Sequence, residues 1–305
     1  MISRKTPMIR STRRFRCIGF KRLIAAVMTS VIAIWTAGLL VHAAEAPTLT
    51  WTNNLLTITS ADLPGGKIDV WYLEAFCRKG STDRDWGKTI LPHKTQLTSA
   101  QPRRLAFRTL VETNVEVLHE VTASADEIDF QFQLHNRGKS PVDVEWFQPA
   151  CIRVAEFTGL DQTNYIKKSF IFTAQGLTTL DKTHRREEAL YRGGQVYVPA
   201  GIDLKDVNPR PIDRDQPTNG LIGCFSKDGK RLLATASDST HELFEGVYVC
   251  LHSDPRVSGL KPGETKQIHA KIYLLPNDPA MLLKRYEADF KTARPFHARQ
   301  GEATR

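Results

Sequence analysis

The chain has 305 residues, with 42 Lys or Arg against 33 Asp or Glu and a formal net charge of +9. Eight of the positives fall within the first 22 residues, which hold no acid, so the rest carries 34 basic against 33 acidic residues and is close to neutral. Bulk charge therefore gives the body of the chain no attraction for nucleic acid, and no nucleic-acid partner is expected.

The basic start is followed by 19 residues without a charge, Leu23 to Val41, and then by Val41-His42-Ala43-Ala44-Glu45-Ala46. A basic stretch, an apolar run and a small-residue end read as an export leader over residues 1–46. Cleavage falls most simply after Ala43, with Ala44 and Ala46 as alternatives. The expected destination is the periplasm or the extracellular space. The run is also long enough to span a bilayer, so a retained anchor at residues 23–41 is the alternative, and it is the only membrane association expected. Cys17 precedes the apolar run, which argues against lipoprotein processing.

About 260 residues remain, read as one domain over 47–293 with a polar tail at 294–305. Leu49 to Thr59 predicts an opening hairpin about Asn53-Asn54, and Pro64-Gly65-Gly66 a second turn. Ile68 to Cys77, with aromatics on both faces, predicts a strand covered on both sides. The loop 78–88 carries six charges and Trp86. Strands follow at about 89–98, 103–111 and 114–123.

From Ile128 the residues Ile128, Phe130, Phe132 and Leu134 alternate with polar ones, then Asn136 to Pro141 turns and Val142, Val144 and Trp146 return. The stretch Ile128–Val154 predicts a central hairpin. Residues 155–195 are less regular, with a strand at Ser169–Thr173. Pro199 to Asn219 holds four prolines and little apolar content, so it predicts a long surface loop. Strands resume at 221–226, 231–236, 246–252 and 265–275. Asp278-Pro279 caps and opens a helix whose Leu282, Leu283, Tyr286 and Phe290 form one apolar stripe.

The fold class predicted is all-β: a large antiparallel β-sandwich with a C-terminal helix packed on it. LHNRGKSPVDVEWFQP, a strand, an Asn, a polar turn with Pro and a return ending in aromatics, resembles the galactose-mutarotase-like (aldose-epimerase-like) β-supersandwich. The Leu260-Lys261-Pro262-Gly263-Glu264-Thr265 turn before the last strand is similar to the ending of those domains. The resemblance implies a sugar-binding architecture. In those epimerases a catalytic His stands where this chain has Trp146-Phe147-Gln148-Pro149, and an amide cannot act as an acid at neutral pH. WYLEAFCRKGSTDRDWGKTILPH, NGLIGCFS and VCLHSDPRVSGLKPGET also look like an uncharacterised family of secreted bacterial proteins.

The leading chemical constellation runs from Tyr72 and Glu74, on one strand face, through Arg78, Arg84, Asp85 and Trp86 to His93. Carboxylates and guanidinium groups for hydroxyls or acid groups, an aromatic plate and an imidazole are what a saccharide site needs. His93 would move a proton, and Arg78 or Arg84 would neutralise substrate charge; a solvated charged loop is the plainer reading. The second constellation is Glu242 with His252 and Asp254, the last two on one strand face. Its metal-binding pattern is weak, and neither metal nor cofactor is expected. Phe147 and Gln148 are placed at the cleft wall. Of the four later cysteines, Cys224 and Cys250 make the better disulfide pair, against buried thiols as the alternative.

No Gly-x-Ser-x-Gly, phosphate-binding Gly loop, His-Glu-x-x-His or Cys-x-x-Cys motif occurs. The functional expectation is a secreted carbohydrate-binding or carbohydrate-processing protein with a saccharide partner. If it is an enzyme, it is a lyase, epimerase or hydrolase. The alternative is a non-catalytic envelope or extracellular scaffold. Substrate, catalysis and oligomeric state are left open by the sequence.

Overall fold

The computed structural model describes residues 45–291. The leader's basic and apolar segments and the tail beyond Lys291 lie outside the described residues. No helix among those described is long and apolar enough to cross a membrane.

In chain order the strands are β1 (Thr48–Thr52), β2 (Leu55–Thr59), β3 (Lys67–Trp71), β4 (Ala75–Cys77), β5 (Ile90–Leu91), β6 (His93–Gln101), β7 (Arg104–Val111), β8 (Val115–Ala123), β9 (Glu127–Asn136) and β10 (Trp146–Gln148). They continue as β11 (Cys151–Arg153), β12 (Ser169–Thr173), β13 (Gly176–Thr179), β14 (Gly194–Tyr197), β15 (Ile222–Phe225), β16 (Arg231–Ser237), β17 (Thr240–Gly246), β18 (Cys250–Pro255) and β19 (Thr265–Pro276). A nine-stranded sheet runs β13-β12-β15-β16-β19-β9-β8-β7-β6, and a seven-stranded one runs β1-β2-β3-β11-β18-β17-β14. A small third sheet, β10-β4-β5, completes the set. The all-β sandwich expected from the alternation is what forms.

Period-two burial explains the packing between the large sheets. Phe130, Phe132 and Leu134 of β9 are buried with Val117 and Val121 of β8 on one side, and Leu56, Val70, Ile152, Leu243 and Leu251 of the seven-stranded sheet join the same core. Burying each such side chain stabilises by about 1.5–3 kcal/mol. The C-terminal helix Pro279–Tyr286 sits on a second cluster through buried Leu282 and through Leu283 and Tyr286, and Phe290 just beyond its end packs on the same cluster. Its cap is as predicted: Asp278 Oδ1 accepts from the Ala280 and Met281 amides at 3.0 Å each.

Three local expectations are corrected. Ile128–Val154 is not a hairpin: β9 is flanked by β8 and β19, while the return run bridges Leu260 through Val142 and pairs β10 with β4. Interrupted by Pro141 and Pro149, that run cannot match the ten residues of β9, and the twelve-residue β19 can. Ile68–Cys77 is two strands in two sheets, because Tyr72 turns into the core at the end of β3. The strand placed at 246–252 contains a turn, with Val249 at φ 55°, that joins β17 to β18. The opening hairpin forms as read, with Asn53 and Asn54 both in the left-handed region.

Candidate functional site

The strand register builds a polar row on the face of the seven-stranded sheet that points away from the sandwich core. Trp71 lies opposite Cys151, His252 opposite Phe244, and Phe244 opposite Val196. Pairing of Ile152 with Leu251 and Arg153 with Cys250 sets Cys151 beside His252. One step along, Glu242 faces Asp254. Antiparallel partners project to the same face, so Cys151, Cys250, His252, Asp254 and Glu242 share it.

Half of this face is roofed. Gln148 of β10 reaches down with Nε2 donating to Asp254 Oδ2 at 2.9 Å and 3.4 Å from His252 Nδ1. The loop between β14 and β15 supplies the Asn208 amide, which donates to Glu242 Oε2 at 2.8 Å, and the Asp206 carbonyl, 3.3 Å from His241 Nε2. The 78–88 loop is tied to that roof: the Gly80 amide donates to Asp206 Oδ1 at 2.7 Å, and the Thr82 amide to the Lys205 carbonyl at 3.0 Å. Over β3 and β11, Trp71 is partly exposed while Cys151 beside it is buried.

At the boundary stands Glu74. Its side chain keeps about a third of its surface, 31 %, exposed, while Oε2 is buried without a hydrogen-bond partner and lies 3.8 Å from His252 Nε2. Glu242 Oε1 and Asp254 Oδ1 are likewise buried without partners. Three carboxylate oxygens in one small region thus lack the donors that buried polar atoms normally have. Arg153, Tyr248 and Trp71 form the rim. Arg153 lies 5.2 Å over the Tyr248 ring, which is 75 % exposed, and Trp71 is 39 % exposed. Gly246 opposite Cys250 is the space the thiol fills: a Cβ there would come within 2.6 Å of the Cys250 sulfur.

Burial raises the carboxyl of Glu74, and the neighbouring His252 charge opposes this only in part. Glu242 is raised by burial and then by the charge of Asp254, and Asp254 is itself raised by burial. His252 goes the other way from an ordinary buried imidazole. Burial disfavours its cation, but Asp254 and Cys250 together outweigh that and raise its pKa. Cys250 is lowered, first by the hydrogen bond from Cys151, and Cys151 is raised in return.

The residues of the two expected constellations and the cleft wall regroup. Glu74, Gln148, Glu242, His252 and Asp254 converge. His93 does not present a free imidazole: Nε2 lies 3.2 Å from the Leu73 carbonyl and the ring is edge-on to Phe76. Arg78 is paired with Glu112 at 2.7 Å, and Arg84 donates to the Lys79 carbonyl. Asp85 is exposed, and Trp86 packs beside Trp146 with Arg210 over it at 5.8 Å. Tyr72 is buried in the core, 2.5 Å from His119 Nδ1, and Phe147 is stacked on Phe76 inside the core. Cys224 and Cys250 lie in different large sheets and both are free thiols, so the expected disulfide is replaced by the proximity of Cys250 to Cys151. Sequence reading missed Cys151, Arg153, Tyr248 and Asn208. The available signal was the alternation Cys151-x-Arg153 and Cys250-x-His252-x-Asp254, one face of two strands.

No protein-family model matches the chain, and a search of curated proteins finds no match. Among solved structures the chain is similar to a protein from Synechocystis sp. PCC 6803, with TM-score 0.45 and 11 % identity over 76 % of this chain and 96 % of that one. It is similar to a galactose mutarotase-like protein from Lactobacillus casei, with TM-score 0.41 and 7 % identity over 75 % and 99 % of the two chains. A putative aldose 1-epimerase from Escherichia coli K12 gives TM-score 0.39 and 10 % identity over 75 % and 98 %. These values carry no activity over to this chain.

Proposed function

We propose that the protein binds or processes a saccharide at the edge of the seven-stranded sheet marked by Trp71, Arg153 and Tyr248, with Glu74 at the reacting end. The observation that carries this reading is the make-up of one mouth. Exposed Trp71 and Tyr248 flank Arg153 and lead to a carboxylate whose inner oxygen has no partner. Aromatic faces take the apolar face of a sugar ring, and a guanidinium and a carboxylate take its hydroxyls or acid group in pairs. Glycan-array binding followed by calorimetry on the intact protein tests it. Tyr248→Ala and Arg153→Ala should each weaken binding by about tenfold or more, as expected for an anchor residue worth over 1 kcal/mol. A bound glycan unaffected by either change would remove the mouth from the reading, and no glycan bound at all would leave the scaffold alternative.

Export is part of the same proposal and rests on the basic start, the uncharged run Leu23–Val41 and the small residues that follow. N-terminal sequencing of the protein recovered from the cell envelope and medium checks it. A mature start at Ala44, Glu45 or Pro47 fits cleavage, and an intact Met1 in the membrane fraction fits the anchor.

A further inference from the structure

We propose that Cys151, Cys250 and His252 form a zinc site, with Glu74 as the fourth ligand at its solvent side. One ligand atom from each of the first three lies within 4.8 Å of the others, and all three side chains are buried. Zinc held at about 2.3 Å from sulfur and about 2.0 Å from nitrogen in tetrahedral geometry sets an S···N edge of roughly 3.6 Å. Cys250 Sγ lies 3.6 Å from His252 Nε2.

The fourth corner faces Glu74, the residue also placed at the end of the proposed saccharide mouth. Glu74 Oε2 is buried, has no hydrogen-bond partner and lies 3.8 Å from the same His252 nitrogen. Glu74 stands outside the group whose ligand atoms all lie within 4.8 Å of one another, so its side chain must rotate toward the sulfurs to complete a tetrahedral shell. Because this side chain is partly exposed, it is also the corner at which the ion would enter and where an external ligand would meet it.

Behind the imidazole a carboxylate stands close without closing a hydrogen bond, and it would become a ligand's support once Nδ1 carries the proton. His252 Nδ1 faces Asp254 Oδ1 at 3.6 Å and the Gln148 amide at 3.4 Å, and the same amide donates to Asp254 Oδ2. A carboxylate behind a ligating His fixes the ring and raises its basicity, leaving Nε2 for the metal. Two thiolates and one imidazole select a soft or borderline ion, and zinc fits that set without any redox chemistry. The strand register supplies rigidity: β11 and β18 hold both thiols and the imidazole at adjacent positions on a paired backbone.

The site does not depend on the saccharide reading, and its test does not use a glycan. The full chain is purified under reducing, metal-free conditions and titrated with Co²⁺ and then Zn²⁺. The Co²⁺ form should show thiolate charge-transfer absorption and tetrahedral d–d bands, bleached by about one equivalent of Zn²⁺ per chain. Cys151→Ser should lose about half of the charge-transfer intensity and at least about 10-fold in Zn²⁺ affinity, and Asp254→Asn should lose roughly 10- to 100-fold. Glu74→Gln, a partly exposed change that spares the core, should retain the thiolate band while shifting the d–d bands. The proposal is overturned if the reduced wild-type chain gives no thiolate–cobalt absorption, or if mass spectrometry of the protein as isolated shows Cys151 and Cys250 joined as a disulfide. A cobalt spectrum unchanged by Glu74→Gln would remove Glu74 from the shell.

Discussion

Glu242 and Asp254 stand directly opposite one another on β17 and β18, neither exposed to solvent, and each keeps one carboxylate oxygen without a partner. Two acids so placed cannot both ionise at ordinary cost, because each is raised by burial and Glu242 is raised further by its neighbour's charge. The sign follows directly. The unfolded chain gives up these protons at lower pH than the folded one, so stability falls as pH rises past the ordinary carboxylate range. Glu242→Gln replaces one acid by an amide that offers a donor to Asp254. It should raise stability at neutral pH on the order of 1 kcal/mol and flatten the loss between about pH 5 and pH 8. Urea unfolding of both proteins at the two pH values checks this, and a variant less stable at about pH 8 than the parent contradicts it.

An ion pair is held on the core side of β17. Glu245, almost fully buried, receives Arg185 through three hydrogen bonds of 3.0–3.3 Å and the Tyr165 hydroxyl at 2.8 Å. Burial raises the Glu245 carboxyl, and Arg185 and Tyr165 counter it. Arg185→Ala leaves a buried acid with one remaining side-chain donor and should cost about 3 kcal/mol or more. Arg185→Lys cannot reproduce the fork of donors and should fall between the two. Thermal unfolding orders the three proteins, and equal stability of Arg185→Ala and wild type would mean the pair contributes nothing.

The contrast between these two carboxylate sites shows which parts of the molecule were legible in the chain. Alternation made β7, β8, β9 and β19 readable, since a period of two on a half-buried sheet is a local signal. Asp278-Pro279 did the same for the helix. Partner choice was not local. β9 selects β19, more than a hundred residues away, because that strand matches its length, and the nearer run does not. His252, Asp254, Glu242, Glu74 and Gln148 could be picked as polar residues in strands, but their meeting depends on β4 and β10 leaving the large sheets to roof them. His93 and Arg78 carried the same residue-type signal and found ordinary partners instead.

The roof itself should respond to a single change. Asp206 accepts from the Gly80 amide and so links the long loop after β14 to the 78–88 loop. Asp206→Ala removes this link without touching β17 or β18. Amide exchange in residues 199–219 and 78–88 should quicken by about tenfold, while the strands of the nine-stranded sheet keep their protection. Mass-spectrometric exchange reads both regions at once, and unchanged exchange in the two loops would show that the remaining Thr82 to Lys205 bonds suffice.

His119 gives the sharpest pH dependence outside the candidate site. Its ring is stacked between Phe107, at 5.0 Å, and Phe132, at 5.6 Å, with Tyr72 on one nitrogen and Thr109 on the other at 2.9 Å. Burial lowers its pKa from 6.5 to about 3, so the folded protein holds the neutral imidazole. In the unfolded chain the same residue takes up a proton near 6.5. The stabilisation from keeping it neutral is complete above that value and is lost as pH falls toward 3, at up to about 1.4 kcal/mol per pH unit. A His119→Gln variant retains hydrogen-bonding capacity without the titration. It should be less stable than wild type at neutral pH and should lose less of its remaining stability between about pH 6.5 and pH 4. Denaturation midpoints across that range, measured in parallel, test the difference in slope, and parallel slopes would show that the imidazole is protonated in the folded protein as readily as in the unfolded one.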